Sequence, residues 1–224
     1  MADAPDPKSI VCFGDSLTWG FDPAAGKDFR RFGFTERWTR RLQTELGPGY
    51  HVIEEGLSGR TTVFDDPVLG GMSGLADLPN VLASHMPVDL LVVMLGSNDL
   101  KRRFALTADE IARALGRVLA VAATSTCGPD GKAPEILVLV PPLVGNVEAT
   151  FVGLWFDGDA SREASRQLRE TYPPVAEAYG AHCFDTATVV TPGAIDGLHL
   201  DADQLQPLAE ALAKVIRNID TGTV

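Results

Sequence analysis

Short apolar runs of strand length recur along the chain at 10–13, 51–53, 90–95, 136–140 and 182–184, and those at 90–95 and 136–140 are continuous rather than alternating. A continuous run suits a strand buried on both faces. Between the runs, segments 35–46, 72–84, 107–123, 161–179 and 201–219 carry helical signals. Thr107 with Glu110, and Asp201 with Gln204, have capping-box spacing: an oxygen acceptor followed three residues later by a side chain that can reach back. Strand alternating with helix in this way predicts an α/β fold with a parallel sheet covered on both faces.

No repeat, low-complexity tract or linker interrupts the chain, and glycines and prolines cluster at strand-to-helix junctions, so residues 1–224 read as one domain. Two connections are too long for plain turns, 21–35 after the first strand and 141–160 after the fourth. Both leave the carboxyl ends of strands, where open α/β sheets hold their sites. Both also carry aromatics (Phe29, Phe32 and Phe34; Phe151, Trp155 and Phe156), and they are the expected walls of a pocket.

Composition adds little to this picture, whereas charge removes whole classes of partner. With 45% hydrophobic and 22% charged residues, the 224-residue chain is an ordinary globular sequence that can bury a core without disulfide or metal. Its 19 Lys+Arg against 30 Asp+Glu leave a net charge of -11, whose long-range field repels nucleic acid and anionic membranes. Cys12, Cys127 and Cys183 lie far apart, form no C-x-x-C pair and are odd in number, so they read as reduced thiols. No stretch has membrane-spanning length, and residues 1–8 lack the basic start and apolar stretch of a leader, which together lead to an expected cytoplasmic location.

Of four histidines, His199 stands in Asp196-Gly197-Leu198-His199, just before the last predicted helix. A carboxylate three residues ahead on a tight turn can reach Nδ1 and leave Nε2 facing a substrate, although the same spacing also serves as a cap or a surface pair. His51 and His182, in or beside strands, read as hydrogen-bonded structural residues, and His85 as a helix-end residue. Ser16, in Gly14-Asp15-Ser16-Leu17, sits where the first strand turns into a polar loop; it is either a nucleophile in the crevice or a turn serine. Gly59 follows the second strand and Asn98 the third, where a backbone N–H and a side-chain amide could hold an oxyanion, or could serve turn chemistry alone. Neither a G-x-x-x-x-G-K-[ST] phosphate loop nor a G-x-G-x-x-G after a strand is present, which removes the usual signals of nucleotide binding.

Taken together, Gly14-Asp15-Ser16-Leu17, the Gly59 loop, Gly96-x-Asn98-Asp99 and Asp196-x-x-His199 resemble, in identity and order, the blocks of the SGNH (GDSL) hydrolase superfamily. The resemblance spans residues 11–200. Three longer stretches, Cys-Phe-Gly-Asp-Ser-Leu-Thr-Trp-Gly, Val-Ile-Glu-Glu-Gly-Leu-Ser-Gly-Arg-Thr-Thr and Met-Leu-Gly-Ser-Asn-Asp, look like the bacterial arylesterase branch that includes acyltransferases and perhydrolases. The resemblance implies a three-layer, flavodoxin-like fold around a five-stranded parallel sheet, and ester hydrolysis through an acyl-enzyme. It implies Ser16 as nucleophile, His199 as general base and then acid, and Asp196 as the group orienting it. The oxyanion would be held by the N–H groups of Ser16 and Gly59 and the amide of Asn98, with no metal or organic cofactor. Asp15 and Asp99 are expected to make structural hydrogen bonds to loop backbone.

Trp19 and Phe21 beside Ser16, Trp155 and Phe156 in the long fourth loop, and Leu198 between Asp196 and His199 are the expected pocket walls. For Trp155 and Phe156, function or an oligomer contact is expected ahead of core packing. Apolar walls and a negative chain favour short-chain neutral aryl or alkyl esters, with water, an alcohol or peroxide as acceptor. A carbohydrate O-deacetylase using the same triad is the alternative, and a non-catalytic binding domain of the same fold the third. The arylesterase branch also implies a homo-oligomer.

Overall fold

The computed structural model describes residues 6–223. The first five residues of the segment read above for a leader lie outside the described residues. Five strands, β1 (Lys8–Gly14), β2 (Tyr50–Gly56), β3 (Leu90–Met94), β4 (Glu135–Val140) and β5 (His182–Asp185), form one sheet in the order β2-β1-β3-β4-β5. Every neighbouring pair is parallel. This is the flavodoxin-like order, and it reverses direction between β1 and β3. Helices α1 (Ser16–Trp19), α2 (Trp38–Leu46), α3 (Gly74–His85), α4 (Ala108–Ala123), α5 (Gly158–Ala178) and α6 (Leu205–Thr221) make the crossovers and cover the sheet.

Side chains of one strand point alternately to the two faces, so continuous apolar strands supply two cores. Val11, Phe13, Leu91, Val93, Ile136 and Val138 pack under α3, α4 and α5, among them Leu82, Leu115 and Tyr172. Ile10, Cys12, Val92, Leu137 and Leu139 face α2 and α6 through Trp38, Leu42, Leu208 and Leu212. The result is the parallel sheet covered on both faces expected from the apolar runs, and the three-layer arrangement that the resemblance implies.

One capping box forms and the other does not. Thr107 and Glu110 exchange side-chain and backbone bonds at the start of α4. Asp201 makes no cap bond; its Oδ2 accepts instead from the Ala194 N–H at 2.7 Å, and Gln204 Oε1 accepts from the Thr191 N–H at 2.9 Å. Both side chains are spent on holding the loop before Asp196, and α6 begins only at Leu205. The histidines outside the Asp196 turn also differ in part from expectation. His85 ends α3, with its ring 2.7 Å from the Glu55 carboxylate, and His182 lies 3.7 Å from Glu135, but His51 is exposed on β2 and is no buried structural partner. All three cysteines are free. No helix among the described residues is long and apolar enough to cross a membrane.

Candidate active site

β1 ends at Gly14 and the chain turns at once into α1, so Ser16 sits at the carboxyl edge of the sheet beside the β1/β3 reversal. Asp15 caps this turn, accepting from the Leu17 N–H at 2.9 Å, and the indole N–H of fully buried Trp38 donates to the Leu17 carbonyl at 2.9 Å. The turn is held from both sides. Far along the chain, Gly197 adopts φ +76, where a Cβ would meet the Asn146 carbonyl oxygen at 2.4 Å, so the tight Asp196–His199 turn needs glycine there. The Gly145 N–H donates to the Gly197 carbonyl at 2.6 Å and Thr150 Oγ1 to the Asp196 carbonyl at 3.2 Å, fastening the turn to the long loop after β4.

These two turns meet. Ser16 Oγ–H donates to His199 Nε2 at 2.9 Å, and His199 Nδ1–H donates to Asp196 Oδ2 at 2.6 Å. Asp196 Oδ1 accepts from the backbone N–H groups of Leu198 and His199 at 2.9 and 2.8 Å. Burial alone would raise the Asp196 pKa, but the bonds from His199 and from the two N–H groups outweigh it and hold the carboxyl below its ordinary value. The ionised carboxylate fixes the tautomer with Nε2 free to accept from Ser16. Phe21 lies against the imidazole with ring centroids 4.2 Å apart, covering it from water.

Gly59 and Asn98 reach the same place from β2 and β3. Gly59 has φ +96, and neither its N–H nor that of Ser16 finds an acceptor among the described residues. The Asn98 amide donates to the Arg60 carbonyl at 3.1 Å and to Asp15 Oδ2 at 3.3 Å, distances at or beyond the long end of the N–H···O range. Arg60 in turn bridges the Gly14 and Glu55 carbonyls at 2.9 and 2.6 Å, tying the ends of β1 and β2 together below the site. Asp99 accepts from the Thr62 N–H at 3.0 Å, so it and Asp15 serve loop backbone as expected. Burial pushes both carboxyls up, Asp99 to about 6 against opposing bonds from Thr62.

A cavity of about 340 Å³ opens above Ser16. Ser16, Gly59, Asn98 and His199 border it, as do the expected walls Phe21, Trp155, Phe156 and Leu198. Trp19 does not: its ring lies under the Arg31 guanidinium at 5.0 Å, and its carbonyl accepts from Arg31 Nε at 2.6 Å, outside the cavity lining. The loop bearing Trp155 and Phe156 is also more buried than expected. Phe156 is only 3% exposed and Trp155 packs against the core, because the segment turns through Phe151–Leu154 and bridges back to Lys101. Sequence reasoning missed the wall formed by Val68, Leu69 and Met72, and the charged pair Lys101 and Arg103. The one available signal was Lys101-Arg102-Arg103, a basic run in an acidic chain one residue after Asn98-Asp99. Among the described residues, no group of three or more His, Cys, Asp or Glu is gathered to hold a metal ion.

No curated protein matches the chain in sequence. Among solved structures, a carbohydrate acetylesterase from Sinorhizobium meliloti is 37% identical, with a TM-score of 0.88 over 95% of this chain and 99% of that one. An aryl esterase from M. smegmatis is also 37% identical, with a TM-score of 0.88 over 94% of this chain and 99% of that one. A member of the lipolytic G-D-S-L family from Veillonella parvula, 15% identical, shares the fold with a TM-score of 0.68 over 94% and 98%. The family model for GDSL-like lipase/acylhydrolase matches residues 12–211. The chain therefore belongs to the GDSL-like lipase/acylhydrolase family of SGNH hydrolases and is a carboxylic-ester hydrolase.

Proposed function

We propose that the protein hydrolyses short-chain aryl or alkyl carboxylic esters through an acyl-enzyme on Ser16. The observation that carries this reading is the unbroken relay from Ser16 Oγ through His199 to Asp196 at 2.9 and 2.6 Å, at the edge of a largely apolar cavity. His199 Nε2 takes the Ser16 proton as Oγ attacks the ester carbonyl, and Asp196 stabilises the imidazolium that forms. The carbonyl oxygen gains negative charge and is received by the free N–H groups of Ser16 and Gly59, while Asn98 shares an amide hydrogen between its loop partners and the oxyanion. Catalytic hydrogen bonds of this kind tighten in the transition state. His199 then protonates the departing alkoxide or phenoxide and later activates the acceptor that removes the acyl group. Water as acceptor gives an esterase; an alcohol or peroxide gives acyl transfer or perhydrolysis with the same residues.

The cavity of about 340 Å³ is near the lower end of the range for small-molecule sites, which supports short acyl groups. The test is p-nitrophenol release from p-nitrophenyl acetate by wild type and Ser16→Ala, with and without an alcohol. Turnover by wild type alone supports the reading, and acyl recovered as the new ester measures transfer; equal rates for both proteins would overturn it. The similarity to a carbohydrate acetylesterase supports a second reading, O-deacetylation of sugars. Faster release of acetate from acetylated glycans than from aryl acetates would favour it. Self-association is part of the proposal, supported by Phe29, Val68 and Leu69 exposed by 55%, 71% and 54% around the cavity, and the molecular mass in solution tests it. The free cysteines support a reducing, cytoplasmic setting.

A further inference from the structure

Part of the cavity wall carries charge that ester hydrolysis by Ser16 and His199 does not use. Lys101 is only 4% exposed and lines the cavity, as does Arg103. Lys101 Nζ donates to Asp66 Oδ2 at 3.2 Å, and Arg103 Nη1 donates to Asp66 Oδ1 at 2.9 Å. Asp66 is fully buried and also accepts from the N–H groups of Val68 and Leu69 at 2.9 and 3.3 Å. One carboxylate thus serves two cations and two backbone donors and is satisfied by four bonds, three of them on Oδ1. The cations are not so satisfied. An ammonium has three donors and a guanidinium five, and each side chain spends one of them among the described residues.

Buried charges are ordinarily paired, and here the buried Lys101 and the partly exposed Arg103 share the Asp66 carboxylate as their one ion-pair partner among the described residues. We propose that Lys101 and Arg103 form an anion subsite, so that the preferred ester carries a carboxylate on its acyl or its alcohol portion. The inference rests on the ester-hydrolase reading and narrows its substrate class. Burial pushes the Lys101 ammonium below its ordinary pKa against the opposing bond from Asp66; a substrate carboxylate arriving at the cation pair supplies a second such bond. The net charge of -11 does not prevent this. Its long-range field is screened over about 8 Å at physiological ionic strength, whereas the subsite acts at contact, through a Lys101 that is only 4% exposed.

Two ester pairs test the proposal, each differing only in whether a carboxylate is free or methylated. For the alcohol side they are 4-acetoxybenzoate and methyl 4-acetoxybenzoate, and for the acyl side monomethyl and dimethyl glutarate. The readout is the ratio of kcat/KM within a pair, compared between variants so that intrinsic ester reactivity cancels. Arg103→Gln is expected to lower the free-to-methylated ratio about tenfold in one pair, the loss of one charge-assisted bond. Asp66→Asn keeps an acceptor for the Val68 and Leu69 N–H groups but removes the competing charge, and it is expected to raise that ratio about threefold. A general loss of structure lowers both members of a pair together and cannot move the ratio in opposite directions. The pair that responds identifies the side bearing the carboxylate. Ratios unmoved by both substitutions, with the methylated esters still hydrolysed, overturn the subsite alone; no turnover of any ester by the wild type overturns the hydrolase reading and the subsite with it.

Discussion

Replacing Asp196 with Asn tests the proposed relay at its buried end, because the side chain keeps its shape and loses its charge. Oδ1 now accepts from two backbone N–H groups at 2.8 and 2.9 Å, and Oδ2 from His199 Nδ1 at 2.6 Å. An amide cannot accept from all three donors. If its oxygen stays with the backbone, its NH2 faces Nδ1, and the imidazole must carry its proton on Nε2, where it can no longer accept from Ser16. If the amide turns over, two N–H groups beside a residue that is 1% exposed lose their acceptor, at about 1–3 kcal/mol each. The first arrangement costs the fold less and removes the base. The corresponding change in a serine triad lowers turnover about 10⁴-fold, or about 5 kcal/mol of transition-state stabilisation. The assay is kcat for p-nitrophenyl acetate at pH 7, with thermal unfolding measured in parallel. A kcat within tenfold of wild type at unchanged Tm would refute the orienting role of Asp196. Linkage adds a second signature. The folded Asp196 pKa is depressed, so its stabilising contribution is present above the ordinary value of 3.8 and is lost as pH falls through the folded value. The stability gap between wild type and Asp196→Asn is therefore expected to close in acid.

Ser16→Ala and His199→Ala should each lower turnover by several orders of magnitude, and the double variant little further, since the pair acts as a unit; steady-state kinetics showing additive losses would contradict that. Asn98→Ala should lower kcat about 100- to 1000-fold with a smaller change in KM, as loss of one oxyanion donor does. Asp99 should titrate near pH 6, visible in the ¹³C shift of its carboxyl. Because its folded pKa is raised above 3.8, its contribution to stability is full below that pH and is lost as pH rises through about 6, and Asp99→Asn should remove this part of the pH dependence of unfolding.

The central strands were legible because a strand buried on both faces is apolar at nearly every position, as Leu90–Met94 and Glu135–Val140 are, whereas the edge strands β2 and β5 are partly exposed and left only the short runs 51–53 and 182–184. Ser16, Gly59, Asn98, Asp196 and His199 were legible as blocks because each follows a strand or sits on a tight turn, where backbone geometry restricts the residue type. The misses have a common physical origin in contacts between segments distant in sequence. Trp19 next to Ser16 looks like a wall until Arg31, brought back by the Phe21–Arg31 bridge, takes its ring face. Asp201 and Gln204 have cap spacing, but the loop before Asp196 offers them unpaired N–H groups first. Asp66 was invisible as a partner of Lys101 and Arg103 because that pairing spans 35 and 37 residues and is fixed only when the segment after Gly59 folds over the cavity.

Ser16 and His199 are separated by 183 residues and joined by a single hydrogen bond across the sheet edge. Ser16 follows the first strand, whereas Asp196 and His199 stand on the turn that follows the last. During refolding, helices can form early from local contacts, but this pair can close only after every parallel strand between has found its register, the slowest class of pairing. Return of hydrolysis should therefore trail the return of helical signal, making catalysis a reporter of complete topology rather than of compactness.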